Sequence, residues 1–225
     1  MGANKLTREI PSSFGNLTHL LLPHLYDNSL EGSVPSSLRN CSYLQVVRLC
    51  HNKLNGTIPL KLIGLTSLSI VLNVTHNFLT GSLPVEVENL LLLVALDVSY
   101  NKLSNEIPAK LKDCLALETL YMQGNSFEGT IPDLSRLKGI QYLILSNNKL
   151  SGQIPSYMVN FPMLQNLNLS FNDLQGEVPV ESVFRNASTV EVDGNSVFVG
   201  ASKSCICKHA PIKDPSNMES MLLLS

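Results

Sequence analysis

One pattern recurs along the chain at a nearly constant spacing, and it restricts the fold more than any other feature. It reads L-x-x-L-x-L-x-x-N-x-L-x-G-x-[IV]-P, and the copy from Leu164 to Pro179 matches it at every fixed position. Successive copies lie 23 to 25 residues apart, with asparagines at Asn4, Asn28, Asn52, Asn77, Asn101, Asn125, Asn148 and Asn172 and a weaker ninth at Asn195. A period of this length predicts a solenoid of stacked coils that bury a continuous core between them.

The segment L-x-L before each asparagine predicts one short strand per coil. Apolar and variable residues alternate there, as in Leu96-Asp97-Val98, which is the period of a strand buried on one face. The same strand in every coil makes a parallel sheet with strands roughly 4.8 Å apart. We therefore expect an α/β solenoid, a right-handed superhelix with a parallel β-sheet on its concave face and about eight repeats.

The other fixed positions predict how each coil turns and returns. The asparagine side chain can bond to backbone groups of neighbouring coils, and the glycine four residues later suits a positive φ. Asn105 and Arg8 replace that glycine in two copies. The following proline predicts extended segments and a brief helical turn rather than full α-helices. Two copies deviate: Pro23 replaces a strand leucine, and the stretch 68–72 carries one extra residue.

Composition and segment lengths restrict the organisation of the chain and its partners. We expect one repeat domain over residues 1–199, with no N-terminal cap and a degenerate last repeat, and an irregular tail over residues 200–225. The first residues already stand in register with the repeat, which suggests that the chain begins inside a longer protein. A net charge of -2 without a basic run argues against nucleic-acid binding. The longest apolar run, 90–96, is far below the roughly 20 residues that span a bilayer, so no membrane contact is expected.

The repeat resembles the plant-specific leucine-rich repeat of receptor-like kinases and receptor-like proteins over about residues 4–199. The run G-E-V-P at 176–179, then V-F-R-N-A-S at 183–188 and D-G-N-S at 193–196, is similar to the last ectodomain repeats of the EFR-like subfamily of immune receptor kinases. This resemblance implies an extracellular domain, displayed on the plasma membrane or secreted, that binds a peptide or protein ligand and recruits a leucine-rich repeat co-receptor kinase. Kinase signatures are missing from the sequence, so the resemblance implies no enzyme activity and no cofactor for this chain.

The concave face is the expected binding surface. Residues at equal offsets from the asparagine stand roughly 5 Å apart in neighbouring coils, so His51 and His76 should be neighbours, flanked by Asp27 and Tyr100. The polar and aromatic cluster of repeats two to six is the candidate ligand patch, and an ordinary solvated strand face is the alternative. The candidate ligand-binding residues are His24, Tyr26, Arg48, His51, Thr75, His76, Asp97, Tyr100, Tyr121 and Gln123.

Acceptor sequences for N-glycosylation are more frequent than chance predicts. The composition alone would give about three N-x-[ST] sites, and the sequence has them at Asn16, Asn40, Asn55, Asn73, Asn168 and Asn186. This excess favours a secreted, glycosylated chain. The alternative is coincidence produced by the repeat in an intracellular protein.

The cysteines predict neither a disulfide framework nor a metal site. Cys41 and Cys114 occupy core positions of the repeat, so buried free thiols are expected there. Cys205, Cys207 and His209 follow one another at alternate positions of the tail without a second ligand pair, so we expect no metal. A nucleophile made of Cys50 with His51 and Asp27 is disfavoured because an open concave sheet offers no water-excluded pocket.

The leading hypothesis is a binding module, the recognition domain of a receptor-like kinase or receptor-like protein in plant immune or developmental signalling. A secreted leucine-rich repeat inhibitor of microbial wall-degrading enzymes is the second. A non-functional fragment of a receptor gene is the third.

Overall fold

A computed structural model describes residues 2–181, 184, 189–195 and 197–199 of the chain. In these residues the repeats stack into a solenoid that carries two parallel sheet systems, one on each side of the turn that holds the repeat asparagine. The predicted leucine-rich repeat solenoid is confirmed. Among the described residues, the helices are all too short to cross a bilayer.

The first sheet is the concave face, and each strand pairs in parallel with the strand of the next coil. Its order is β15-β13-β11-β9-β7-β5-β3, and its register advances by one repeat, with Ala95 opposite Thr119 and Asp97 opposite Tyr121. The strands are β3 (Val46–Arg48), β5 (Val71–Asn73), β7 (Ala95–Asp97), β9 (Thr119–Tyr121), β11 (Tyr142–Ile144), β13 (Asn166–Asn168) and β15 (Val190–Glu191).

Parallel strands also form after the asparagine, where we predicted only extended segments. They build a three-stranded sheet and a six-stranded sheet, which a bridge between Thr57 and Thr80 connects. The first contains β1 (Thr7–Glu9), β2 (Ser29–Ser33) and β4 (Lys53–Asn55). The second contains β6 (Thr80–Gly81), β8 (Lys102–Glu106), β10 (Ser126–Thr130), β12 (Lys149–Gln153), β14 (Asp173–Glu177) and β16 (Val197–Val199).

The return path of six coils contains one short helical turn that follows a proline, as predicted, whereas the coil of Pro132 has only non-helical turns there. Proline has no backbone N–H and a fixed φ, so it is well suited to precede the first turn of a helix. The 3-10 turns are Ser12–Asn16, Ser36–Asn40, Val85–Asn89, Ala109–Asp113 and Ser156–Asn160, and α1 (Leu60–Ile63) is a single α-helical turn.

The repeat asparagines hold neighbouring coils together from inside the turn. Asn77 is buried; its Oδ1 accepts a hydrogen bond from the Leu54 N–H at 2.9 Å, and its Nδ2 donates to the Leu49 and Val74 carbonyls at 3.0 Å. Asn52, Asn101, Asn125, Asn148 and Asn172 repeat this arrangement. These bonds satisfy backbone groups that the turn would otherwise leave unpaired in the core.

Two left-handed positions shape each coil. The predicted one is four residues after the asparagine, where Gly129 has φ 74° and Asn105 and Arg8 have φ 67° and 71°. The other was not predicted and lies directly before the asparagine, where His51, His76 and Tyr100 have φ between 47° and 53°. The backbone therefore reverses at the end of each concave strand and turns these side chains outward.

The two irregular copies have local consequences. Pro23 leaves the second coil without a strand in the first sheet, where a single bridge joins His24 to Arg48. The extra residue of the fourth coil is absorbed where its strand begins, because Val94 and Ala95 donate to two different carbonyls, Ser69 and Ile70. In later coils, two successive N–H groups share one carbonyl at this point.

Candidate ligand-binding surface

The concave face of coils three to six has four lanes, each made of residues at one offset before the repeat asparagine. The apolar lane is six residues before it, the polar lane four, the hydroxyl lane two and the aromatic lane one. In chain order they are Val46, Val71, Ala95 and Thr119; Arg48, Asn73, Asp97 and Tyr121; Cys50, Thr75, Ser99 and Gln123; and His51, His76, Tyr100 and Gly124.

The aromatic lane is an exposed stack of rings. The centroids of His51 and His76 are 4.3 Å apart with 16° between their planes, and those of His76 and Tyr100 are 4.4 Å apart. All three residues are exposed. The stack ends over Gly124, where a Cβ atom would lie 2.7 Å from the Tyr100 ring, so the missing side chain gives that ring its place. The structure thus brings three predicted site residues into one continuous surface.

The polar lane is less exposed than we predicted, and Asp97 is buried, with 3% of its surface accessible. Its Oδ1 accepts hydrogen bonds from the Ser99 N–H at 3.0 Å and the Ser99 hydroxyl at 2.6 Å. Asn73 and Asn168 make the same backbone bond to the residue two positions later, at 3.0 Å. At this position a short acid or amide therefore has a structural role, which the prediction missed.

Burial raises the pKa of Asp97 from 3.8 to about 6, although the bonds from Ser99 and the nearby His51 favour the ionised form. Tyr121, which lies next to Asp97 in register, is half-buried. Burial and the charge of Asp97 raise the pKa of Tyr121 to about 12. The centre of the face is therefore a poorly hydrated place for a negative charge.

The hydroxyl lane is buried, which corrects the prediction that Thr75 and Gln123 are exposed. Thr75 is 3% exposed, Ser99 is 0% exposed and Gln123 is 2% exposed. Neighbouring coils stay hydrogen bonded beyond the strands, as in the 2.8 Å bond from Tyr100 N–H to the Gln123 carbonyl. Small side chains in this lane therefore pack closely against each other, and the rings of the next lane take the solvent-facing position.

A hydrogen-bonded chain connects the aromatic lane to the buried carboxyl group. The Ser99 hydroxyl donates to Asp97 Oδ1, so its oxygen accepts from the Thr75 hydroxyl at 2.6 Å. Thr75 Oγ1 then accepts from His76 Nδ1 at 3.1 Å. Because each hydroxyl has one proton, an ionised Asp97 fixes the direction of the whole chain and places a proton on Nδ1 of His76.

The structure gives no support to a nucleophile at Cys50. Burial, followed by the charges of Asp27 and Asp97, raises the pKa of the Cys50 thiol to about 12. The thiolate that a nucleophilic cysteine needs is therefore strongly disfavoured at neutral pH.

The candidates of the second and third coils lie at one end of the face. His24 and Tyr26 are half-buried and pack edge to face at 5.9 Å, while Tyr26 leans away from the stack onto Gly2, where a Cβ would lie 2.4 Å from the ring. Arg48 is half-buried in β3. The structure therefore separates Tyr26 from the aromatic stack.

The apolar lane was not among the predicted site residues. Val46, Val71 and Ala95 are each 3% exposed and form a small cluster with Ile70, separate from the main core. The alternation of the strands contained this signal, because the residue before the central leucine lies on the same face as the polar lane. The apolar lane therefore forms the margin of the concave face on the side opposite the aromatic stack.

The glycosylation candidates differ in accessibility. Asn16, Asn40 and Asn55 are exposed, and Asn73 is half-buried within β5. Asn168 is 6% exposed, and its Nδ2 donates to Glu191 at 2.6 Å, so a glycan on this nitrogen would displace a buried contact. Asn168 is therefore the least accessible of the described glycosylation candidates. Asn186 lies outside the described residues.

The described cysteines are free, and Cys41 and Cys114 are buried as predicted. The Cys114 thiol donates to the Val87 carbonyl at 3.1 Å, and burial raises its pKa to about 12. The described part of the chain contains no group of three metal-ligating side chains. Cys205, Cys207 and His209 lie outside it.

Comparisons with known proteins agree with this architecture. The family model Leucine Rich Repeat matches residues 116–137 and 139–161. The LRR receptor-like serine/threonine-protein kinase EFR of Arabidopsis thaliana is 52% identical over 105 residues, which cover 44% of this chain and 10% of EFR. The crystal structure of a TDR receptor has a TM-score of 0.79 at 28% identity, covering 86% of this chain and 34% of that chain.

A third relative is a complex. The Arabidopsis receptor kinase HAESA, solved with the peptide hormone IDA and the co-receptor SERK1, has a TM-score of 0.68 at 28% identity, covering 92% of this chain and 42% of that chain. The chain thus spans less than half the length of each of these three relatives. The chain contains leucine-rich repeats and is similar to the ectodomains of plant receptor kinases.

Proposed function

We propose that this chain is an extracellular recognition module of a receptor-like kinase or receptor-like protein, and that it binds a peptide or protein ligand on the concave face of coils three to six. The observation that carries the proposal is the exposed stack of His51, His76 and Tyr100 beside the polar lane. Rigid aromatic side chains give large contact area at low entropic cost, and they are common at binding hot spots.

The shape of the face favours an extended ligand that crosses the strands. The stack runs over three neighbouring coils, and centroid distances of 4.3 and 4.4 Å make it continuous. An extended peptide rises about 3.3 Å per residue, so a few residues would cover the stack while alternate side chains point towards the polar lane. Such a ligand would gain apolar contact and specific hydrogen bonds together.

The relatives support a signalling context. HAESA was solved with a peptide hormone and a co-receptor, and EFR is a receptor-like kinase. By analogy, the partners of this chain are a peptide or protein ligand and a leucine-rich repeat co-receptor kinase, in immune or developmental signalling. The module itself binds and does not catalyse. Its place is outside the cell, at the plasma membrane or secreted.

Exposed acceptor sites agree with an extracellular, glycosylated chain. Asn16, Asn40 and Asn55 could carry glycans without disturbing a buried contact. Asn186 remains a further candidate. A glycan on Asn73 would stand between Arg48 and Asp97 and block the polar lane, so the proposal expects Asn73 to be unmodified when ligand is bound.

Selection of a random-peptide phage library against the purified chain tests the proposal. Asparagine is the substitution to use, because Asn147 naturally occupies the same left-handed position with φ 53°. We expect His76→Asn and Tyr100→Asn to lower the affinity of the chain for the selected peptides by about tenfold or more. The matched control is Phe171→Asn, since Phe171 has the same position in coil eight and φ 54°.

Two results would contradict the proposal. One is the failure of the library to give any peptide that binds the folded chain. The other is equal sensitivity to the stack variants and to Phe171→Asn, which would place the binding site elsewhere. Tight binding to a microbial polygalacturonase in place of peptides would favour the inhibitor hypothesis.

A further inference from the structure

In coils five and six of the concave face, two buried oxygens accept no hydrogen bond from any residue that the structure describes. They are Asp97 Oδ2 and Gln123 Oε1, in residues that are 3% and 2% exposed. An unpaired buried polar atom costs free energy, and a charged group costs more than a neutral one. Both atoms are acceptors, so the missing partner is a hydrogen-bond donor.

The two oxygens belong to neighbouring coils and to the same face. Asp97 lies opposite Tyr121 in the parallel register, and Gln123 is two residues further along the same direction. Such a diagonal pair has a spacing of about 7–8 Å between Cα atoms, within reach of one long or forked side chain. Asp97 and Gln123 therefore present two acceptors that a single group could bridge.

Among the residues that the structure describes, no lysine or arginine forms an ion pair with this carboxyl group. His51 is the one charged neighbour that favours the ionised form of Asp97, and it lies two coils away on the face. The positive charge of Arg48, which is also two coils away from Asp97, works to lower the pKa of the Cys50 thiol. The carboxylate is thus buried without the paired cation that buried charges ordinarily have.

The side chains around the two oxygens also suit a cation. Tyr121 lies beside Asp97, and Tyr100 ends the aromatic stack one coil before Gly124. Faces of tyrosine rings attract guanidinium and ammonium groups within about 6 Å of the ring centre. The Tyr100 ring is packed between His76 and Gly124, so Tyr121 is the ring that remains for a cation beside the two acceptors.

We propose that Asp97 Oδ2 and Gln123 Oε1 form a subsite for a cationic side chain of the ligand, with arginine as the best fit. The proposal rests on the function proposed above and specifies the ligand chemistry. The forked guanidinium can donate to both oxygens at once, which an ammonium group does less well. Both oxygens are shielded from solvent, so the proposed subsite requires the side chains that cover them to move when the arginine binds.

A double-mutant cycle tests the subsite with peptides selected from the random library. We expect the selected peptides to be enriched in arginine or lysine at one position. Replacing that arginine by citrulline, which is neutral and of similar shape, should weaken binding to the wild type by about tenfold or more. The same replacement should change binding to Asp97→Asn by less than about twofold.

Asp97→Asn is a conservative variant, because Asn73 and Asn168 already make the same backbone bond from the same position. Glu118→Gln, which removes an acid from the entrance of β9, is the matched control and should retain the full citrulline effect. Selected peptides without a cation preference, or a citrulline effect that persists in Asp97→Asn, would overturn the subsite and leave the proposed function standing. If no peptide is selected, the subsite and the proposed function are both overturned.

Discussion

The buried carboxyl group of Asp97 should make the stability of the solenoid depend on pH, and Asp97→Asn should remove that dependence. A carboxyl group whose pKa is higher in the folded state binds its proton more tightly there than in the unfolded chain. Its favourable contribution is therefore complete below the unfolded pKa of 3.8 and is lost as the pH rises through about 6. The wild type should lose stability over this window while the asparagine variant does not.

The difference between the two pKa values sets the magnitude. A rise from 3.8 to about 6 corresponds to about 3 kcal/mol between the acidic end of the window and neutral pH. Asparagine keeps the acceptor that Ser99 uses but buries an amide nitrogen where Asp97 has Oδ2. That nitrogen can shift the stability of the variant by a constant amount. The diagnostic quantity is therefore the change with pH, which a constant offset leaves untouched.

Urea unfolding at pH 4, 5, 6 and 7 measures this quantity. The free energy of unfolding of Asp97→Asn minus that of the wild type should increase by about 2–3 kcal/mol from pH 4 to pH 7. Glu128→Gln, which changes an exposed acid of β10, is the control and should run parallel to the wild type. Parallel profiles for Asp97→Asn and the wild type would refute the reasoning, and so would a Cγ chemical-shift titration of Asp97 with a midpoint near 4.

Two further predictions concern the repeat itself. Asn77→Ala should destabilise the chain by about 3 kcal/mol in urea unfolding, because it leaves the Leu54 N–H unpaired in the core and removes the amide bonds to the Leu49 and Val74 carbonyls. Asn4→Ala, at the exposed first anchor, should cost much less, and equal losses would contradict the structural role of the buried anchors. Mass spectrometry of the chain secreted from plant cells should find glycans on Asn16 and Asn40 and none on Asn168, whose Nδ2 is bonded to Glu191; a glycan on Asn168 would show that this contact does not form.

The fold could be predicted from the sequence because each recurring residue satisfies a requirement that every coil has. Asn77 meets the hydrogen-bonding needs of its own turn, and Gly129 adopts a φ of 74° that most residues avoid. Such requirements recur every coil and are visible as a period. The parallel strands after the asparagine were missed because their pairing depends on the approach of neighbouring coils and not on a local pattern.

The candidate site was only partly predictable for the same reason. Equal offsets from the asparagine placed His51 next to His76, and the structure has them stacked. The offsets carried no information on how deeply each side chain is buried. Thr75 and Gln123 were therefore expected at the surface, whereas the structure buries both. Depth depends on how closely side chains of adjacent coils pack, and this varies with their size from coil to coil.

The polar lane shows why residue type alone does not identify a ligand contact on a repeated face. Asn73 and Asn168 direct one acceptor to a backbone N–H two residues later, so their polarity is explained within the coil. Arg48 cannot accept such a bond because its guanidinium has only donors, and the hydroxyl oxygen of Tyr121 lies at the tip of a long side chain. Asp97 differs from these residues. Its Oδ1 accepts the bond from the Ser99 N–H, and its Oδ2 has no partner among the described residues. On this face Asp97 keeps polar capacity after its own coil is satisfied, and the proposed ligand subsite rests on that surplus.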